Sequence, residues 1–317
     1  MSGTALPRDE VAAVLSRTEQ ALDPGEPERG GALSVLGYGE ISVALAVAEL
    51  PGLVCKRMSG FAGDTSAARY VGLVEDYVRR LGRAGVSVVA TDVVPVARTG
   101  RAPVVYLVQP RLAAESLGNQ VLLTADDPTV TSALTAVLGV VARLSRHPGD
   151  DGVEVALDGQ LSNWSFTPEP QAAAPVLIDV GTPFVRRDGE HGMDREALLA
   201  PVPPGLRAYY RRKRLVEAYL DDYFVPRTVA VDLLGNFHKE GAAARLPLGV
   251  DVVNAWLGSE DLPGPRNPVT TDEVDRYYRQ DADLLALYLR LRRMDRFLRT
   301  RVLRRRYDYV LPGHVRR

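Results

Sequence analysis

Two acidic signatures constrain this chain more than any other feature: Leu157-Asp158-Gly159-Gln160-Leu161-Ser162-Asn163 and, further on, Val176-Leu177-Ile178-Asp179-Val180-Gly181. Residues 164–166 and 176–178 read as short strands separated by a Pro/Gln/Ala stretch, which predicts a hairpin with Asn163 and Asp179 at its opposite ends. A hairpin brings its ends together, so both side chains come within reach of one metal site. Far upstream stand a glycine turn, Leu36-Gly37-Tyr38-Gly39, and an isolated lysine, Lys56.

The segments around these motifs alternate between the two periodicities. Val11, Val14, Leu15 and Leu22 predict a short helix over 8–22, ended by Asp23-Pro24-Gly25. Residues 32–36, 41–49 and 53–58 predict an antiparallel meander turning at Gly37, Gly39 and Pro51-Gly52. An amphipathic helix carrying Glu75 follows over 65–84, with Ala68, Val71, Val74, Val78 and Leu81 as its apolar positions. Two valine-rich strands are expected at 86–96 and 104–108, the second closed by Gln109-Pro110. Residues 129–145 predict a buried helix broken at His147-Pro148-Gly149, with a short strand at 153–156 beyond it. Past Pro204 the pattern is helical over 206–224, 228–240, 251–257 and from 271 to 306. These elements make an α+β chain with an N-terminal helical extension at 1–30, a small antiparallel-sheet unit at 31–110 and a mainly helical unit at 111–317.

A length of 317 residues is enough for two lobes, and 46% hydrophobic with 25% charged residues excludes wholesale disorder. The single cysteine, Cys55, precludes an intramolecular disulfide and reads as a buried thiol in a strand. Residues 1–10 lack the apolar stretch of a secretory signal, and the apolar runs at 41–50 and 133–142 fall short of the roughly 20 residues that span a bilayer. No transmembrane segment and a cytoplasmic location are therefore expected. His147, His191, His238 and His314 have no metal-ligand spacing, and Tyr209-Tyr210 and Tyr277-Tyr278 read as helix-packing residues, so nucleic-acid binding is not expected.

Each motif has an ordinary reading beside a chemical one. The glycine turn can be a plain hairpin turn, Lys56 an outward residue of a strand, and Asp158 and Asp179 loop caps. Taken in order they supply what phosphoryl transfer requires: carboxylates, an amide and an ammonium that hold Mg²⁺, cover phosphates and orient a hydroxyl. Asp158 would accept the hydroxyl proton, Asn163 and Asp179 would offer hard oxygens to Mg²⁺, and Lys56 would hold the α- and β-phosphates.

The ordered set resembles the aminoglycoside/choline phosphotransferase branch of the protein-kinase-like fold, over roughly residues 32–184. The resemblance implies a bilobal fold and transfer of the γ-phosphoryl group of ATP to the hydroxyl of a small molecule. It implies that Gly37 and Gly39 cover the nucleotide, that Glu75 pairs with Lys56, and that the segment 109–111, starting at Gln109, connects the lobes and offers backbone groups that read adenine. The chain departs from that pattern at Ala156, where histidine is common, at Gly159-Gln160, and at Ser42, which takes the place of a third glycine. Those departures motivate a second reading, a nucleotide-binding or scaffold protein without transfer.

Charge is segregated along the chain. Residues 290–317 hold eleven Arg and two Asp, a local +9 in a chain of net −1. Leu284, Leu287, Leu291, Met294 and Leu298 form an apolar seam at steps of three and four, which predicts a packed helix with its arginines in water. An acidic partner is the rival use of that basic helix, and an anionic membrane surface a third.

Overall fold

The computed structural model describes residues 6–39, 42–146, 149, 151–166 and 175–312. Glu40 and Ile41 of the glycine turn, His147 and Pro148 at the expected helix break, residues 167–174 and His314 lie outside the described residues.

The N-terminal helix α1 (Arg8–Ala21) leads into strands β1 (Leu33–Tyr38), β2 (Ser42–Val47) and β3 (Leu53–Met58). Helix α2 (Asp64–Arg83) follows, then β4 (Ser87–Val88), β5 (Asp92–Arg98) and β6 (Arg101–Pro110). Five of these strands form one antiparallel sheet in the order β1-β2-β3-β6-β5. Pro95 lies in β5, an edge strand, where a missing N–H donor costs no ladder bond.

The alternation of side chains gives the sheet two different faces. Val43, Leu45, Val47, Cys55, Val94, Val96, Tyr106 and Val108 point to the face covered by Val11, Val14, Leu15 and Leu22 of the N-terminal segment. A helix of 14 residues is marginal alone, and burying these four side chains at about 2 kcal/mol each is what holds it. Glu19 of α1 reaches through this apolar layer to Arg57, and both side chains are at most 2% exposed. The Tyr106 hydroxyl donates to the same carboxylate at 2.6 Å. The opposite face carries Met58, Val93, Val105 and Leu107, which join α2 and the helical part of the chain in a continuous core.

The expected strand at 86–96 is two strands in two sheets. Ser87 and Val88 pair parallel with β9 (Val176–Leu177), which pairs antiparallel with β8 (Trp164–Ser165). The chain leaves this small sheet at a turn where the Thr91 hydroxyl donates to the Val89 carbonyl at 2.8 Å, and only then enters β5. The hairpin predicted between the acidic signatures is thus present and tied to the chain that follows α2. Strand β7 (Val153–Val155) precedes it and pairs with β10 (Val185–Arg187), which is continued by β11 (Glu190–His191).

Helices α3 (Gly118–Thr124) and α4 (Asp127–Arg146) precede the acidic signatures, and α5 (Arg195–Leu199), α6 (Pro204–Arg212), α7 (Leu215–Asp222), α8 (Pro226–Lys239), α9 (Leu246–Ser259) and α10 (Thr271–Phe297) follow them. The helix expected over 206–224 is split because Arg214 adopts a left-handed conformation at φ 51°, a common way for a helix to end. Helix α4 is long and apolar enough to cross a membrane by length and composition, but Val130, Leu134, Val137, Leu138 and Val141 are packed inside the fold.

The seam of α10 is a correction. Leu284, Leu287, Met294 and Leu298 are 61%, 53%, 53% and 44% exposed, and the helix buries Leu289 and Arg292 in their place. The cause is the chain beyond it. After a π turn at Leu298–Val302 and a left-handed Arg304, residues 307–312 run back to the sheet. Arg292 lies over the rings of Tyr288 and Tyr309, and Asp308 pairs with Arg98 and Arg101. Val310 enters the core between α1 and the sheet.

Candidate active site

Register fixes where Lys56 points. Gly37 lies opposite Ala44, Ala44 opposite Lys56, and Lys56 opposite Leu107. Directly paired residues share a face, so Lys56 leaves the sheet toward the helical part, in the same row as Gly37. Gly39 closes the turn, its N–H donating to the Ser42 carbonyl at 3.0 Å. A Cβ on Gly39 would sit 2.5 Å from Ser42 Oγ, so the serine that replaces a third glycine occupies the space that Gly39 leaves open.

Lys56 Nζ reaches Asp179 Oδ2 at 2.6 Å, with the two side chains 22% and 36% exposed. The Gly181 N–H donates to Asp179 Oδ1 at 2.8 Å. Any Cβ on Gly181 would lie 3.1 Å from Lys56 Nζ and 3.2 Å from Asp179 Oδ1, which is why the residue two beyond this aspartate has no side chain. Withdrawal from solvent pushes the Asp179 carboxyl up, but the Lys56 ammonium and the Gly181 N–H outweigh it and hold Asp179 below the usual carboxylate range.

Asn163 is delivered to the same place by the hairpin, where its carbonyl accepts from Ile178 N at 2.8 Å and Trp164 pairs with Leu177. Its side chain lies beside Asp158 and acts to lower that carboxyl's pKa. Asp158 also accepts from the Gln160 N–H at 2.9 Å, a turn that an aspartate followed by glycine forms readily. Burial, the nearby Asp232 carboxylate and then Asp179 push the Asp158 carboxyl up to about 7. Two carboxylates in one site, one held ionised and one poised to exchange a proton near neutrality, is an acid–base division of labour set by surroundings.

Glu75 is not the partner of Lys56. It lies on the exposed side of α2, whose buried face carries Ala67, Tyr70, Val74, Tyr77 and Leu81. The expected apolar positions placed the face one residue away because tyrosine was not counted as a core residue. The two tyrosines do the joining. Tyr70 donates to the Gly181 carbonyl at 2.8 Å and Tyr77 to the Ala156 carbonyl at 2.8 Å, so one helix holds the backbone of both acidic signatures. Ala156, the departure at the histidine position, keeps its carbonyl under that clamp.

Gln109 is held by the sheet and by its side chain. It remains inside β6 opposite Val54, and its side chain is buried, donating to Thr91 Oγ1 at 3.0 Å and to the Ile178 carbonyl at 2.8 Å. A side chain so engaged braces the residue before Asp179. The adjoining Arg111 N–H is taken by the Gly52 carbonyl at 2.7 Å, so the connection between sheet and helices begins only beyond it.

Asp232 and Asn236 carry no signal named above, and Gln160 and Tyr277 join them in a role beyond a loop departure and helix packing. Gln160 donates to Asp232 Oδ2 at 2.7 Å and accepts from Asn236 Nδ2 at 3.1 Å, and Tyr277 donates to Asp232 Oδ1 at 2.8 Å. The catalytic-loop candidate is thereby tied to α8 and α10. Gly159 allows that approach, since a Cβ there would meet Val229 Cγ1 of α8 at 2.9 Å. The i, i+4 pair Asp232 and Asn236 in an otherwise apolar helix was the available signal.

Among the described residues no group of three or more His, Cys, Asp or Glu could form a closed metal cage. Asn163 and the ionised Asp179 do fit Mg²⁺, which takes one or two protein oxygens and completes its shell with phosphate oxygens and water.

A family profile described as "Family of unknown function (DUF6206)" matches residues 18–296. The chain belongs to this family. No curated protein matches it. Among solved structures, WaaP in complex with acyl carrier protein is 16% identical over 69% of this chain and 95% of the other, at a TM-score of 0.35. The GDP and kanamycin complex of APH(2")-IIia is 11% identical over 78% of this chain and 98% of the other, also at 0.35. The GDP complex of an aminoglycoside 2'-phosphotransferase-IIIa is 11% identical over 92% and 98%, again at 0.35.

Proposed function

We propose that this family member is a bilobal, protein-kinase-like phosphotransferase that moves the γ-phosphoryl group of ATP to a hydroxyl of a small molecule. The observation that carries the reading is the meeting of Lys56, Asp179, Asn163 and Asp158, which come from three separate segments of the chain. A set of turn residues has no reason to converge in this way.

In this reading Asp158 accepts the proton of the attacking hydroxyl. Its raised pKa suits that task near neutral pH, because a base works best with a pKa close to the working pH. Asn163 orients Asp158 and, with Asp179, offers oxygen to Mg²⁺, which when bound neutralises charge on the phosphates. Lys56 exchanges its contact with Asp179 for the phosphate oxygens, an ammonium well placed to stabilise developing negative charge. Gly37 and Gly39 bring backbone close to the nucleotide from above. Tyr70 and Tyr77 keep the two acidic segments in register.

Replacing Asp158 with Asn tests the reading. Phosphoryl transfer to an acceptor, or slow ATP hydrolysis in its absence, should fall at least about 100-fold while nucleotide binding is retained. A second reading, nucleotide binding without transfer, is favoured by one feature: Lys56 lacks a glutamate on α2 to hold it when Asp179 engages the metal. Under that reading the Asp158 variant binds nucleotide and behaves like the parent in every assay.

A further inference from the structure

Among the described residues, α10 carries an exposed apolar stripe that neither the site nor the core uses. Exposed Leu284, Leu287, Met294 and Leu298, with half-buried Leu291 between them, repeat at steps of three and four along one side of the helix. Val302 and Leu303 extend the stripe at 61% and 57% exposure, and Phe297 beside it is 59% exposed. A row of this size on an otherwise ordinary surface marks a binding face.

Its surroundings specify the partner. At about 100° per residue in α10, Arg290 falls along one border of the stripe, and exposed Arg301 follows in the π turn beyond the helix. Arg304, Arg305 and Arg306 are exposed where the helix ends. From Arg290 to Arg306 the only acid is Asp295, and it is engaged by Arg299 at 3.0 Å. Apolar side chains bordered by exposed Arg290 and Arg301 and followed by Arg304, Arg305 and Arg306 match the boundary between headgroups and acyl chains, with guanidinium groups reaching outward to phosphate.

A second copy of the chain fits the face less well. Parallel pairing would set arginines against arginines, and antiparallel pairing would bring only the exposed Asp283 of one copy toward the arginine cluster of the other. An acidic protein would use the arginines without needing the leucines.

We infer that the exposed face of α10, from Leu284 to Leu303, docks on an anionic phospholipid surface. The last turns of the helix lie in the interface, with Met294, Phe297, Leu298 and Val302 entering the acyl boundary. The arginines at 290, 301, 305 and 306 meet the headgroups. The tail at 307–312 supports this placement from the other side, because its contacts with Arg292, Arg98 and the sheet hold Leu289 and Arg292 inward and leave the stripe outward.

Co-sedimentation of the full chain with vesicles tests this. The protein should pellet with an equal mixture of phosphatidylcholine and phosphatidylserine and remain in solution with phosphatidylcholine alone. The double variant Leu287→Glu, Leu298→Glu should lose at least about tenfold in binding, since two exposed apolar groups become charged. The triple variant Arg301→Gln, Arg305→Gln, Arg306→Gln should lose about 100-fold. All substitutions are on exposed positions, so unchanged circular dichroism and melting are expected. Binding that is absent, equal on both vesicles, or insensitive to either variant would overturn the inference. So would a dimer by light scattering that the Leu287→Glu, Leu298→Glu variant converts to monomer, which would assign the face to a second copy.

Discussion

Lys56 and Asp179 are separated by 123 residues of sequence and joined by an ion pair of 2.6 Å. The pair links the third strand of the sheet to the end of the acidic hairpin, and Gly181 is the residue that makes room for it. Glu75 contributes nothing to this contact. Lys56→Met should therefore lower turnover at saturating nucleotide by about 100-fold, whereas Glu75→Ala should stay within about twofold of the parent, as exposed surface changes do. Steady-state kinetics of the two variants side by side distinguishes this arrangement from one in which Glu75 holds the lysine.

The Asp158 carboxyl, pushed up to about 7 by burial and by Asp232, gives activity an acidic limb. A base must be deprotonated, so kcat/KM should rise with pH and level off above about 7. Asp232→Asn removes a neighbouring negative charge and should move that limb to lower pH. The same carboxyl has a stability signature of determined sign. A raised pKa in the folded state stabilises fully below the unfolded value of 3.8 and is lost as pH rises through about 7. Asp158→Asn should accordingly be more stable than the parent at pH 8 by on the order of 2 kcal/mol, allowing for partial solvent screening, and no more stable at low pH. Chemical denaturation at two pH values measures the difference.

Gly159→Ala is predicted to damage the site without adding or removing a functional group. The new methyl would meet Val229 Cγ1 at 2.9 Å, so either α8 or the loop carrying Asp158 must shift. A misplacement of 1 Å near the chemistry commonly costs about 100-fold in rate. Turnover should fall by that order, and Val229→Ala introduced in the same chain should restore part of it.

Glu19 is the test of whether α1 belongs to the folded unit. Its carboxyl is pushed up by burial, but Arg57, Tyr106 and Arg98 hold it below the usual value. Glu19→Ala strands the Arg57 guanidinium in the core and should destabilise the chain by about 3–5 kcal/mol. A lowered carboxylate pKa stabilises fully above the unfolded value of 4.5 and is lost as pH falls toward the folded value. Acid should therefore narrow the gap between parent and variant, and thermal melts between pH 3 and 7 would record it.

Legibility from sequence followed the range of each interaction. The meander, the hairpin and most helices were readable because strand alternation, glycine turns and helical spacing are local. That Asn163 and Asp179 come together was readable because the hairpin between them is also local, and Lys56 stood out as an ammonium in an apolar strand. Glu75 was misassigned because Tyr70 and Tyr77 take the buried face of α2, and a tyrosine enters a core when its hydroxyl finds a carbonyl. The orientation of α10 depends on residues 307–312 returning to the sheet, a contact across most of the chain with no local signature.

The central claim is that Lys56, Asn163, Asp158 and Asp179 form a metal-dependent nucleotide site, and calorimetric titration of ATP with and without Mg²⁺ tests it most directly. The parent chain should bind ATP with Mg²⁺ and much more weakly without it, and a folded Asp179→Ala variant should lose the metal-dependent part. Binding that is absent in the parent, or unchanged by Mg²⁺ and by Asp179→Ala, would contradict the account.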